Sequence, residues 1–359
     1  MVPVSQSRRR DTRALRRRRR RAPGGRTARR GVISQNAGPS GARIGGRSVN
    51  RASELDATLP DARAMLKRHG KTFAWAAHLM PQRDADRLAQ LYAICRRLDD
   101  LADLDGSAEA RARLLDLRSH RWAATSVDPI ARELAAMVAQ NSLNPATMQQ
   151  LLEGLISDTG PQFIADEPSL IRYAYLVAGT VGLMVCDVLD VAAPTARKAA
   201  VNLGIAMQLT NIARDVHEDA VAGRRYLPAT WWDATPREIA DPSPDSKRKG
   251  AIAVLRLLDL ADGYYDRAYC GFAFLPMSSR IGLAVAARVY RGIGSELRRR
   301  HGAFHRGRVY VPRWRKAILT IMAACALASP AKPIADLHLH PVILDLLPPA
   351  SMAAIHGRY

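Results

Sequence analysis

Cysteine is scarce in this sequence, with four residues in 359, at positions 95, 186, 270 and 325. None falls in a CxxC pair, so neither a disulfide framework nor a cysteine-built zinc site is signalled, and a reducing compartment fits best. Aromatic residues make up only 6% of the chain. β-branched residues are also sparse, and no alternating apolar pattern marks a strand. No run of about 18 apolar residues occurs, so no membrane-spanning helix is expected. The longest apolar stretches, Leu176–Cys186 and Ala317–Ser329, stop at Asp187 and Pro330 and read as buried core helices. The N-terminus carries a charged run with no apolar stretch behind it, which argues against a secretory signal.

Ala, Leu and Arg are abundant instead, a composition that favours helices. At 48% hydrophobic, the chain can bury one large core. Its net charge of +21 is unevenly spread: residues 1–50 hold 15 basic residues and one acid, Asp11, and so carry +14 of it. Residues 1–52 therefore read as a basic, disordered tail, with a self-repelling run at Arg16–Arg21. No aromatic residue interleaves with these arginines, so no nucleic-acid partner is expected. Residues 53–330 read as one helical domain, and residues 331–359, rich in Pro and His, as a loose C-terminal tail. Within the domain, Asn144-Pro145 predicts a helix start, and Asp241-Pro-Ser-Pro-Asp245 predicts a loop. Helical periodicity then returns from Ile252 to about Leu297.

Two segments stand out. In residues 91–103 (LYAICRRLDDLAD), Leu91, Ile94, Leu98 and Leu101 form one apolar stripe. Tyr92, Arg96, Asp99 and Asp103 step by four, three and four, and form a second stripe. Asp100 lies between the two and could turn either way. In residues 208–219 (QLTNIARDVHED), Gln208, Asn211, Asp215 and Asp219 share one face, with Arg214 close to it.

Like charges four residues apart cost a helix a few tenths of a kcal/mol. A single such pair would be read as a solvated acidic face. Here both sets sit among apolar neighbours, and each has an amide or arginine companion. Two such faces could oppose each other across a helix bundle. Mg²⁺ wants hard oxygen ligands and usually takes one or two carboxylates beside substrate phosphates and waters. Arg96, Arg214 and Arg224 could grip diphosphate oxygens through forked hydrogen bonds. Tyr92 and Phe73 could offer aromatic faces to a carbocation.

These segments resemble the two aspartate-rich motifs of the squalene/phytoene synthase family, YAxCRxxDDxxD and QxTNxxRDxxED. The likeness extends to Gly223–Pro228 (GRRYLP), to His69–Phe73 (HGKTF), to Tyr173–Met184 (YAYLVAGTVGLM) and to a later block around Tyr290-Arg291, so it covers roughly residues 55–320. Departures include Ala174 where the family usually has Cys, Ala74 after Phe73, and a weak Gly154–Asp158 block. The basic stretch Arg306-Gly-Arg308 cannot be aligned and is assigned no role.

The resemblance implies an all-α isoprenoid-synthase bundle with a central cavity, acting as a Mg²⁺-dependent prenyl transferase, with Mn²⁺ as a substitute ion. It implies Asp99, Asp103, Asp215 and Asp219 as catalytic residues, joined by Asn211 as metal ligands. His69, Gly70, Lys71, Thr72, Phe73, Tyr92, Arg96, Gln208, Arg214, Arg224 and Tyr290 would contact substrate or its diphosphate. The implied reaction joins two geranylgeranyl diphosphates head to head, through a cyclopropylcarbinyl diphosphate, to phytoene. A sibling reaction on two farnesyl diphosphates, giving squalene, dehydrosqualene or a hydroxysqualene, is the alternative. A non-catalytic helical assembly protein is an alternative of another class, disfavoured because the acidic motifs are complete. No nicotinamide cofactor is expected. The expected place is the cytoplasm, with peripheral contact to the inner membrane allowed by the greasy substrates and the basic surplus.

Other residues have plainer readings. Tyr290 could equally be core. His217 falls off the acidic face and suits a surface role. His338 and His340 lack the further ligands a metal would need. Thr180 and Gly182 suit close helix packing, and Trp231-Trp232 suits a packing or membrane-facing anchor.

Overall fold

A computed structural model describes residues 61–102, 108–119, 122–140, 142–328 and 337–347. Among them no strand forms, and a single isolated bridge pairs Phe163 with Arg225. The all-α expectation holds. The helices are α1 (61–69), α2 (Lys71–Ala77), α3 (Gln82–Ala102), α4 (Ala108–Arg118), α5 (Pro129–Ala139), α6 (Pro145–Asp158), α7 (Glu167–Ala174), α8 (Thr180–Val188), α9 (Pro194–Val221), α10 (Pro236–Ala240), α11 (Pro244–Ala268), α12 (Met277–Arg299), α13 (Arg313–Ala328) and α14 (Pro341–Leu344).

Local chemistry sets many of the starts. Asn144 caps α6 by accepting from the Ala146 amide at 2.9 Å, with Pro145 in the first turn, as its sequence predicts. Asp128 and Asp166 cap α5 and α7 in the same way. The loop expected at residues 241–245 is shorter than its two prolines suggest. Ser243 caps α11, Pro244 occupies the first helical position, and the helix runs from there rather than from Ile252. The single periodic stretch expected up to Leu297 is two helices, because a 3₁₀ segment, Tyr269–Phe274, and Pro276 break it.

The 28-residue helix α9 is the axis of the domain and packs against α7, α8, α10, α11 and α12. Its approach to α8 is close. A Cβ at Gly204 would lie 2.1 Å from the Ala178 carbonyl oxygen, and one at Gly182 would lie 2.2 Å from that of Ala200. The close-packing reading of Gly182 is therefore right, and Gly204 is its counterpart on α9. Gly204→Ala is expected to destabilise the fold by about 2–3 kcal/mol, because only backbone movement relieves the clash. Chemical denaturation measures this, and an unchanged midpoint would contradict the close approach.

Between α7 and α8 lies a π-helical turn, Tyr175–Gly179, so Glu167–Val188 is one continuous rod. By length and composition this rod could cross a membrane, although the sequence reading, counting from Leu176, found no such segment. In the bundle 61% of its apolar window is buried, and it packs on α6 and α9 as a core element.

The C-terminal part corrects the sequence reading. Residues 337–347 are not loose: Leu339, Ile343 and Leu347 are buried in the main core, and α14 packs on α7. His340 caps α14 through its ring nitrogen. The spacing of four and four between Leu339, Ile343 and Leu347 gives the strip a buried face, and Pro341 sits in the first turn of α14. Residues 1–52, 331–336 and 348–359 lie outside the described residues.

Candidate active site

Helix α3 divides as its sequence predicts. Leu91, Ile94, Leu98 and Leu101 are buried in a core shared with α4, α5 and α6. Tyr92, Arg96 and Asp99 line a cavity of about 760 Å³. Asp100 is exposed and pairs with Arg96, which also reaches Asp99 at 3.2 Å. Asp103 lies outside the described residues. Helix α9 presents Gln208, Asn211, Asp215 and Asp219 to the same cavity, with Arg214 beside them.

The cavity is polar where these residues meet and apolar along its remaining length. Its α9 wall runs from Ala196 to Asp219, roughly 35 Å at the helical rise. Small residues, Ala196, Ala199 and Ala200, line the first part. Leu88, Leu189, Phe272 and Leu275 add apolar walls. The carboxylate–amide end therefore opens into a long greasy channel.

One residue ties the two acidic faces together. Asp158, the last residue of α6, accepts hydrogen bonds from the Tyr173 hydroxyl at 2.9 Å and the Tyr226 hydroxyl at 3.0 Å. Burial pushes its pKa up to about 6, against those two hydrogen bonds, and the charge on Asp99 adds to the rise. Asp219 is pushed up to about 7, first by burial and then by Asp215, with Asp158 contributing. Asp99, Asp158, Asp219 and Asp215 thus form one connected field of negative charge.

Cations balance part of it. Arg214 donates from Nε to Asp215 at 2.8 Å. Arg308 reaches the same carboxylate at 3.0 Å through Nε. Arg224 lines the cavity and acts electrostatically on both Asp158 and Asp219. On the cavity wall, Phe73 lies 5.4 Å from the Tyr290 ring and 6.1 Å from the Tyr92 ring, centroid to centroid. Burial drives the Tyr92 hydroxyl pKa up to about 12, so it stays protonated.

The residues fit a hard divalent cation. The Asn211 Oδ1 is buried without a hydrogen-bond partner among the described residues. The raised Asp219 carboxyl sits in excess negative charge that a cation would relieve. No three Asp, Glu, His or Cys side chains among the described residues converge as a closed cage. Mg²⁺ usually takes one or two carboxylates and leaves the rest of its sphere to phosphates and water.

Of the sequence-predicted contacts, His69, Phe73, Tyr92, Arg96, Gln208, Arg214, Arg224 and Tyr290 line the cavity. Tyr290 is thus a wall residue rather than plain core. Gly70, Lys71 and Thr72 do not line it. Gly70 instead allows α1 and Tyr92 to approach, since a Cβ there would sit 2.9 Å from both Leu66 and Tyr92. Lys71 is exposed. His217 ties α9 to the Ala240 carbonyl, and Trp232 is core, packed on Phe304.

Sequence reasoning missed Arg308, Asp158, Tyr173 and Tyr226 as site residues. Tyr173 and Tyr226 lay inside quoted motifs, and Asp158 ended the weak Gly154–Asp158 block. Arg308 carried no local signal, because its partner Asp215 is 93 residues away in sequence.

Comparison with known proteins agrees with this geometry. The profile of the family described as squalene/phytoene synthase matches residues 66–315. A 15-cis-phytoene synthase from Paracoccus sp. is 38% identical over 67% of this chain and 82% of its own. A phytoene synthase from Cereibacter sphaeroides is 34% identical over 81% of this chain and 85% of its own. Among solved structures, a ligand-bound dehydrosqualene synthase superposes with a TM-score of 0.66 at 28% identity, covering 77% of this chain and 99% of that one. A squalene synthase from Alicyclobacillus acidocaldarius shares the fold, with a TM-score of 0.60 at 20% identity over 69% of this chain and 96% of that one. The chain belongs to the squalene/phytoene synthase family.

Proposed function

We infer that this enzyme joins two geranylgeranyl diphosphates head to head into phytoene. The observation that carries the reading is the meeting of the α3 and α9 acidic faces at the polar end of one long apolar cavity. The curated relatives named phytoene synthase support the choice of substrate.

The diphosphates sit at the polar end, where Arg96, Arg214, Arg224 and Arg308 offer forked, charge-assisted hydrogen bonds. Asp99, Asn211, Asp215 and Asp219, with Asp103, would hold Mg²⁺, whose charge offsets that of the departing diphosphate. The prenyl tails lie along the apolar walls, which exclude water from the cation left at C1. Phe73, Tyr92 and Tyr290 line the same cavity, where aromatic π faces would favour positive charge. The double bond of the second molecule attacks C1 as the first diphosphate leaves, and loss of a proton closes the ring to a cyclopropylcarbinyl diphosphate. That intermediate ionises, rearranges and loses a proton, so two diphosphates leave overall.

Purified enzyme with Mg²⁺ should convert geranylgeranyl diphosphate to a C40 hydrocarbon, at least about tenfold faster than it converts farnesyl diphosphate to a C30 product. Hydrocarbon analysis separates the two. Preferential C30 formation would move the assignment to the farnesyl sibling, and no product from either would favour a non-catalytic relative.

A further inference from the structure

Helix α13 is apolar on both of its faces. Its inner face packs Leu319, Ala323 and Leu327 into the core. Its outer face carries Trp314, Ile318, Ile321 and Met322, spaced as one helical stripe and exposed to between 46% and 64%. A helix apolar all round is at home inside a core or a membrane, and this one lies at the surface.

Helix α2 extends the patch. The Trp75 indole donates to Thr320 on α13 at 3.1 Å, and Trp75 and Leu79 are themselves exposed. The opposite face of α2 lines the cavity through Phe73, Ala76 and Ala77, and Met80 just after it does the same. One helix therefore separates the apolar channel from the apolar outer face.

The charge at the start of the stripe is mostly basic: Arg313 and Lys316 flank Arg315, which is paired with Glu296 of α12. Helix α13 contains no acid and begins Arg313-Trp-Arg-Lys316. Partial burial lowers the Lys316 pKa, and the two charges that act on it, Lys71 and Arg313, are both cationic. A basic cluster next to exposed Trp and Ile side chains matches an anionic lipid surface. A second copy would bring its own Lys71, Arg313 and Lys316 to the same basic face.

We propose that the α2–α13 face docks on an anionic lipid bilayer. Trp314, Ile318, Ile321 and Met322 enter the acyl boundary, and Lys71, Arg313 and Lys316 meet the headgroups. The proposal concerns the surface and does not depend on which prenyl chain is used.

The exposed Cys325 lies on the same stripe, whereas Cys186 and Cys270 are buried and Cys95 is partly so. It serves as a built-in probe. Full-length protein would be floated with phosphatidylcholine vesicles, with and without phosphatidylglycerol, at low and high salt. Thiol labelling of Cys325 would be followed in parallel. The wild type should float with anionic vesicles, keep part of that binding in high salt, and show Cys325 labelling slowed by at least about tenfold. The triple variant Ile318→Ser/Ile321→Ser/Met322→Ser should keep only salt-sensitive binding through the basic first 50 residues. Equal salt-resistant flotation of variant and wild type would overturn the proposal, as would unchanged Cys325 labelling. So would a wild-type dimer, seen by sedimentation, that the variant loses and that vesicles do not disturb. If the variant fails to fold, Cys325 protection in the wild type decides alone.

Discussion

Asp99→Ala is expected to abolish turnover, by at least about a thousandfold, while leaving the fold intact. Its side chain is 51% exposed, and its partner Arg96 keeps a second carboxylate in Asp100. The stability change should therefore stay within about 1 kcal/mol. Asp215→Ala should lose turnover to the same extent and stability as well. Its carboxylate is shared by Arg214 and Arg308, and both it and Arg214 are largely buried. Removing it strands the Arg214 cation, at a cost of roughly 3 kcal/mol or more. Product formation and thermal unfolding, measured on both variants, separate these roles. Full activity in Asp99→Ala would remove the metal-site reading, and wild-type stability in Asp215→Ala would remove the view of Asp215 as the electrostatic anchor of the arginines.

Metal-free protein should lose stability as pH rises from about 4 to 7. Asp219 and Asp158 have folded-state pKa values pushed up to about 7 and about 6, from an unfolded value near 3.8. Between those limits the native state holds protons that the unfolded chain has released, so the slope of stability against pH is negative. The contribution is complete below pH 4, and the Asp219 share is gone above pH 7. At about 1.4 kcal/mol per unit, that share is roughly 3–5 kcal/mol. The two acids repel each other, so their effects do not simply add. Mg²⁺ should reverse the loss at and above pH 7, where the carboxylates are charged, and should do little near pH 5. Denaturant midpoints across this range, with and without Mg²⁺, provide the check. Asp219→Asn should flatten the metal-free profile; a profile superimposable on the wild type would show that burial of Asp219 is not what sets it.

Much of the site was legible because it lies on two helices. Once residues 91–103 and 208–219 are helical, spacings of three and four place Tyr92, Arg96 and Asp99, and Gln208, Asn211, Asp215 and Asp219, on single faces. That step needs no tertiary information. The start of α6 was legible for a similar reason, since Asn144 and Pro145 act on the next three residues only. The π turn at Tyr175–Gly179 was not legible, because Gly154 and Gly204 pack against that stretch from distant helices. Residues 337–347 looked loose because their leucines find a core only when α7 is beside them.

The sequence by itself determined the helical class, the family and the two acidic faces, all of which rest on local spacing and motif order. Only the tertiary structure decided what those faces work with. It brought Arg308 to Asp215 across 93 residues, and it suspended Asp158 between Tyr173 and Tyr226 so that one buried carboxyl feels both faces. It also moved Lys71 and Thr72 out of the cavity and left an apolar stripe on α13 facing outward. Charge pairing and burial depend on distance in space, and sequence spacing reports that distance only within a single helix.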